Sequence, residues 1–153
     1  MVVLLLWLLW QDIDRVDGVP LRFTNRVDFD QVTGQVYFTD NSMQHKRSQH
    51  EMVTKTGDSM GCLMMYYPWT SDATTLQAEM TYPNGVALHR EKNELPFGRD
   101  SHLLAVRVGT NGKIVEEMRG PKGMRPTKIM ERENGKLYLG LMELCYVGVV
   151  KRK

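Results

Sequence analysis

Residues 26–40 set the pattern on which the rest of the chain is built. Val27 and Phe29 alternate with Arg26, Asp28 and Asp30, and Val36 and Phe38 alternate with Gln35, Tyr37 and Thr39. A two-residue period on both sides of a short turn puts one face of each segment inward, which predicts a half-buried β-hairpin. Gly34 ends the turn; lacking a Cβ, it takes the positive φ that a bulged hairpin loop requires. The pattern resumes at residues 61–67 and 74–80, joined by the Pro-Trp-Thr-Ser-Asp stretch 68–72. Four antiparallel strands made of two hairpins form one propeller-type blade or one sheet of a sandwich.

The remaining chain reads the same way. The Asp-Gly-Val-Pro sequence at 17–20 is a turn leading into a short strand at 21–24. Residues 41–60 are polar and without apolar period, which predicts a long loop, functional or disordered; in a propeller such a loop projects from one rim and can roof the central pocket. Residues 81–85 break the chain before Val86, Ala87 and Leu88, and the charged, turn-rich stretch 89–100 reads as a second loop. Residues 102–108 and 113–118 form a further hairpin, and 120–126 is a connector. Residues 128–131 and 136–142 pair across Asn134-Gly135, the strongest short-range hairpin signal. Residues 147–151 form the last strand. No stretch carries a 3.6-residue stripe, so the expectation is an all-β chain of ten or eleven strands.

Composition narrows the class. At 42% hydrophobic and 25% charged residues, the 153-residue chain has the make-up of a folded globular protein. A net charge of +2 is too small to argue for nucleic acid, and Lys151-Arg152-Lys153 reads as a solvated tail. Cys62 and Cys145 have no spacing motif that marks a metal or a disulfide. Residues 2–10 are all apolar. They are too few for a spanning helix, which takes about 20 residues, so no transmembrane span is expected. They lack the basic n-region and small-residue cleavage site of a complete signal peptide. A strand covering a sheet edge, a degenerate signal or anchor, and an exposed aggregation-prone arm all remain open for this segment.

Three motifs carry a resemblance. NRVDFDQVTGQVYFTD, KTGDSMGCLMMYYP and TYPNGVAL resemble the core of the plant strictosidine synthase-like family, six-bladed β-propellers related to paraoxonase-type calcium-dependent lactonases. The likeness runs over residues 18–88 and resumes, in a later part of the family pattern, over 89–153. A blade takes roughly 40–50 residues, so the chain supplies about three. The resemblance therefore implies an incomplete β-propeller: a hydrophobic arm at 1–17, a propeller fragment at 18–153, and a deletion seam near 86–89 where two V-A-L strands look fused. It also implies the secretory pathway or vacuole, although no Asn-x-Ser/Thr sequon occurs.

The resemblance also locates the chemistry. The family's acid–base glutamate, which serves amine–aldehyde condensation, falls on Lys128, and the histidine two positions earlier falls on Pro126. A solvated lysine is a cation at neutral pH and cannot accept the proton. Glu131 is offset by an odd number of residues, and Glu133 sits at the turn. No intact catalytic residue is therefore expected. The lactonase likeness implies a calcium ion, for which Asn84 matches a ligand position, but calcium takes six to eight oxygens and one amide cannot hold it. In its plainer reading Asn84 is a turn asparagine beside Gly85. Asp40 and Asn41 are pocket candidates in one reading and turn formers in the other. His45 and His50 are five apart without a third ligand for zinc. His89 and His102 read as surface residues, Ser42 and Ser59 lack a nucleophile elbow, and the eleven methionines read as core filler. Three functions stay in contention: a strictosidine synthase-like chain inactive in condensation, a calcium-dependent ester or lactone hydrolase, and a non-catalytic β protein that self-associates. The first two imply a small-molecule substrate.

Overall fold

The computed structural model describes residues 13–88, 94–98, 103–109, 113–119, 126–131, 136–141 and 147–151. The arm 2–10, His89 at the end of the seam region, His102, Glu133, the Asn134-Gly135 turn and Cys145 lie outside them. Strands β3 (Thr24–Phe29), β4 (Val36–Asp40), β5 (Gly61–Tyr67) and β6 (Asp72–Met80) form one four-stranded antiparallel sheet in sequence order. The hairpin pairs Val27 with Phe38 and Phe29 with Val36, as the alternation predicts. A second sheet runs β7 (Asn84–Val86), β8 (Glu94–Gly98), β9 (Leu103–Gly109), β10 (Ile114–Arg119). A third comprises β11 (Pro126–Glu131), β12 (Lys136–Leu141) and β13 (Val147–Lys151). Each is a meander of neighbouring strands, and β7 packs against both β3 and β11. The first strands of the three sheets thus stand side by side, the arrangement of inner strands around a propeller axis.

Several elements differ from the sequence-based expectation. Val19–Pro20 pairs with Arg15–Val16 as a small hairpin (β2 and β1), and β3 starts only at Thr24, so the strand expected at 21–24 is an irregular link. The expected division at residue 17 falls inside that hairpin. The loop expected over 41–60 contains a 3-10 turn (Arg47–Gln49) and a short helix, α1 (His50–Thr56). Gly57 ends α1 in the left-handed region, its φ of 66° being readily adopted only without a Cβ. Within the stretch read as loop at 89–100, residues 94–98 form β8, which pairs with β7 on one side and β9 on the other. The described residues therefore hold thirteen short strands rather than ten or eleven.

The core explains why β4 is not half-buried. All five of its residues are buried. Val36 and Phe38 join Val27, Cys62, Met64 and Tyr66 on one face, which Ile13, Val16, Leu21 and Met43 cover. Tyr37 joins Leu63, Met65 and Met80 on the other, against Val86 and Leu88 beside the second sheet. A blade's central strands are covered from both sides, so the polar half of the alternation is buried as well. In the third sheet Ile129, Leu137 and Leu139 pack toward Met118 of β10.

Candidate functional site

The strand starts at one end of the axis bring together polar residues that are far apart in sequence. Asn25 is the second residue of β3, and Asn84 is the first of β7. Asn25 Nδ2 donates to Asn84 Oδ1 at 2.9 Å and to Asn41 Oδ1 at 3.3 Å, so a single amide bridges two others. Asn41 is wholly buried, and its own Nδ2 has no partner among the described residues. A buried polar group without a partner is uncommon in folded proteins. Asn25 carries no local sequence signal: its partners lie 16 and 59 residues away.

Asp40 closes the first sheet at the same end. Its carboxylate accepts the backbone N–H groups of Arg22 at 3.0 Å, Phe23 at 3.1 Å and Ser42 at 3.0 Å. Burial raises its pKa above the ordinary 3.8, opposed by those N–H groups and by the charge of Arg47. Asp40 thus fastens the link before β3 to the end of β4. Ser42 likewise has an internal role. Its hydroxyl donates to Asp58 Oδ2 and accepts the N–H groups of Gln44 and His45, pinning the segment that leads into α1. His45 Nε2 is buried without a partner among the described residues. Cys62 is free and buried, and its thiol is pushed up to about 12 by burial, then by the charges of Asp40 and Asp17, which makes it a poor nucleophile.

An aromatic and a cation flank the amides. Phe23 meets Tyr82 edge-on with ring centroids 5.9 Å apart, and the Arg47 guanidinium lies 5.1 Å from the Phe23 centroid. Arg47 also donates through Nη2 to the carbonyl of Thr24, next to Asn25. Lys128 lies on β11, the inner strand of the third sheet, in register with Gly140. The structure therefore brings Asn41 and Asn84 together, places Asp40 beside them in a backbone clasp, and sets Lys128 on the neighbouring inner strand.

Turning the Asn25 amide over would point three neutral amide oxygens toward one another, against the six to eight that calcium takes. The carboxylate of Asp40, next to Asn41 in sequence, already accepts three N–H groups. The described residues do not by themselves fit a calcium shell.

Three antiparallel meanders with adjoining inner strands and a polar cluster at one axial end define the propeller-blade class. The solved structure of a Xanthomonas campestris gluconolactonase superposes with a TM-score of 0.64 at 15% identity, over 91% of this chain and 47% of that one. The family model described as strictosidine synthase matches residues 25–106, more than half of the chain. The protein belongs to the strictosidine synthase family. It is 41% identical to strictosidine synthase of Catharanthus roseus over 110 residues, 70% of this chain and 29% of that one. It is 40% identical to strictosidine synthase-like 3 of Arabidopsis thaliana over 78 residues, 51% of this chain and 20% of that one. The chain thus spans under a third of the length of these two relatives. No helix among the described residues is long and apolar enough to cross a membrane.

Proposed function

We propose that this chain is a strictosidine synthase-like propeller segment that does not catalyse amine–aldehyde condensation. The observation that supports the reading is Lys128 on the inner strand β11, at the position where the family resemblance expects an acid–base carboxylate. An ammonium cannot relay the protons of iminium formation and cyclisation as a carboxylate does. The seam near 86–89 joins two family segments across about one missing blade, so pocket walls are absent too. Incubation with the synthase's amine and aldehyde substrates is expected to give no condensation product, and Lys128→Glu alone is expected not to restore it. Turnover by the unmodified chain sinks the proposal. Rescue by Lys128→Glu would place the fault in one residue instead of the missing walls.

A second reading, an ester or lactone hydrolase, draws on the meeting of Asn25, Asn41 and Asn84 and on the likeness to the gluconolactonase fold. Its difficulty is the oxygen count. Titration calorimetry with calcium is expected to show weak binding or none, and micromolar binding that Asn84→Ala abolishes would favour the hydrolase. In either case the ligand-facing end of the segment is the end that carries the three amides.

A further inference from the structure

Arg47 has no carboxylate paired with it among the described residues, although its surroundings hold it in place. Its guanidinium rests on the Phe23 ring and gives one N–H to Thr24. A guanidinium has five N–H donors in a planar fork, so most of the fork remains for another acceptor. The carboxylate that would be its natural structural partner, Asp40, is enclosed by the N–H groups of Arg22, Phe23 and Ser42. Phe23 links the cation to the amide cluster: its ring lies under Arg47, and its carbonyl accepts the Asn41 N–H at 2.9 Å. The cluster is itself one hydrogen bond short, at Asn41 Nδ2. Arg47 is exposed, and Asn25 and Asn84 are half-buried, so a ligand can reach all three.

We propose that Arg47, Asn25 and Asn84 form a recognition site for a small carboxylic acid bearing a hydroxyl group next to its carboxylate. The carboxylate lies on the Arg47 fork, and the hydroxyl joins the amide network. A hydroxyl both donates and accepts, so it can bond the half-buried Asn25 and Asn84 amides whichever way they are turned, with the wholly buried Asn41 behind them. A charged acceptor on a guanidinium forms the stronger class of hydrogen bond and gives the site its preference for anions. The inference rests on reading this end of the inner strands as the ligand-facing end. It requires neither calcium nor turnover.

The test is direct binding to the full chain by side-chain ¹⁵N NMR, with glycerate, propionate and glycerol as probes. Glycerate is expected to move the Arg47 Nε–H signal together with the Asn25 and Asn84 amide signals. Propionate should move mainly Arg47, and glycerol neither. Arg47→Gln should weaken glycerate by about tenfold or more, equivalent to 1.4 kcal/mol, while Arg47→Lys keeps part of the affinity. Should Arg47→Gln fail to fold, Asn84→Asp decides the matter, since it adds a negative charge to the cluster and leaves the Phe23 contact alone. It should weaken glycerate by repulsion. Glycerol binding as well as glycerate, or unchanged glycerate affinity in the folded variant, overturns the proposal. Because binding is read without catalysis, a null result in condensation or hydrolysis assays leaves it standing.

Discussion

Asp40 couples a buried carboxylate to the backbone of three other residues. Its pKa is raised by burial, while the N–H groups of Ser42, Phe23 and Arg22 and the charge of Arg47 pull it back toward the ordinary 3.8. The native chain therefore holds this proton more tightly than the unfolded one. Stability from this group is fully present below 3.8 and is lost as the pH rises into the raised native range. Asp40→Asn removes the titration. Urea midpoints from about pH 3 to about pH 8 should show the wild type's margin over Asp40→Asn largest at the acid end and shrinking upward. A margin that grows with pH would mean that the hydrogen bonds outweigh burial. Asn25 and Arg47 could not be singled out from sequence for a related reason. What distinguishes each is a partner contributed by a distant segment, and a polar residue at a strand start or in a polar loop has no periodicity to reveal it.

Among the elements, the hairpins were legible because period-2 alternation and turn chemistry are local. Asp30 accepts the Gly34 N–H at 2.7 Å and donates its own N–H to Gln35 at 2.8 Å, which closes the turn where the sequence places it. Gly34 has a φ of +72°, and a Cβ there would fall 2.2 Å from the Trp69 ring. Gly34→Ala should therefore destabilise the first sheet by about 1–3 kcal/mol, combining left-handed strain with displacement of the indole. Denaturant unfolding with an unchanged midpoint would show that the turn relaxes freely. The missed elements have equally physical causes. Helix α1 has only seven residues and buries only Val53, too little for a stripe to show. Strand β8 contains Pro96, opposite Arg107, and proline gives no ladder donor, so its sequence reads as loop although both neighbours pair with it. The burial of Tyr37 and Thr39 on β4 comes from tertiary packing, which an alternating sequence does not encode.

At the scale of the whole molecule, the family resemblance gave the architecture, and the three sheets with adjoining inner strands agree with it. On the third sheet, Val147 and Val149 of β13 are 58% and 54% exposed. Covering a large apolar side chain is worth ~1.5–3 kcal/mol, so a second copy of the chain gains by docking there. Concentration-dependent self-association is expected in sedimentation. It should fall when residues 2–10 are removed, since that arm adds nine apolar side chains, and should fall again with Val149→Lys. Monomers at all concentrations in the unmodified chain would refute it.

The first sheet carries a further consequence. Ile13, Val16, Leu21 and Met43 already cover one face of the first sheet, whereas Val147 and Val149 on the third sheet are exposed. If association runs through the Val147 and Val149 face alone, each copy has a valence of one. Two copies meeting open face to open face satisfy each other through a twofold axis and leave nothing for a third. Assembly built this way stops at the pair, whereas a segment exposed at both ends would polymerise into fibres.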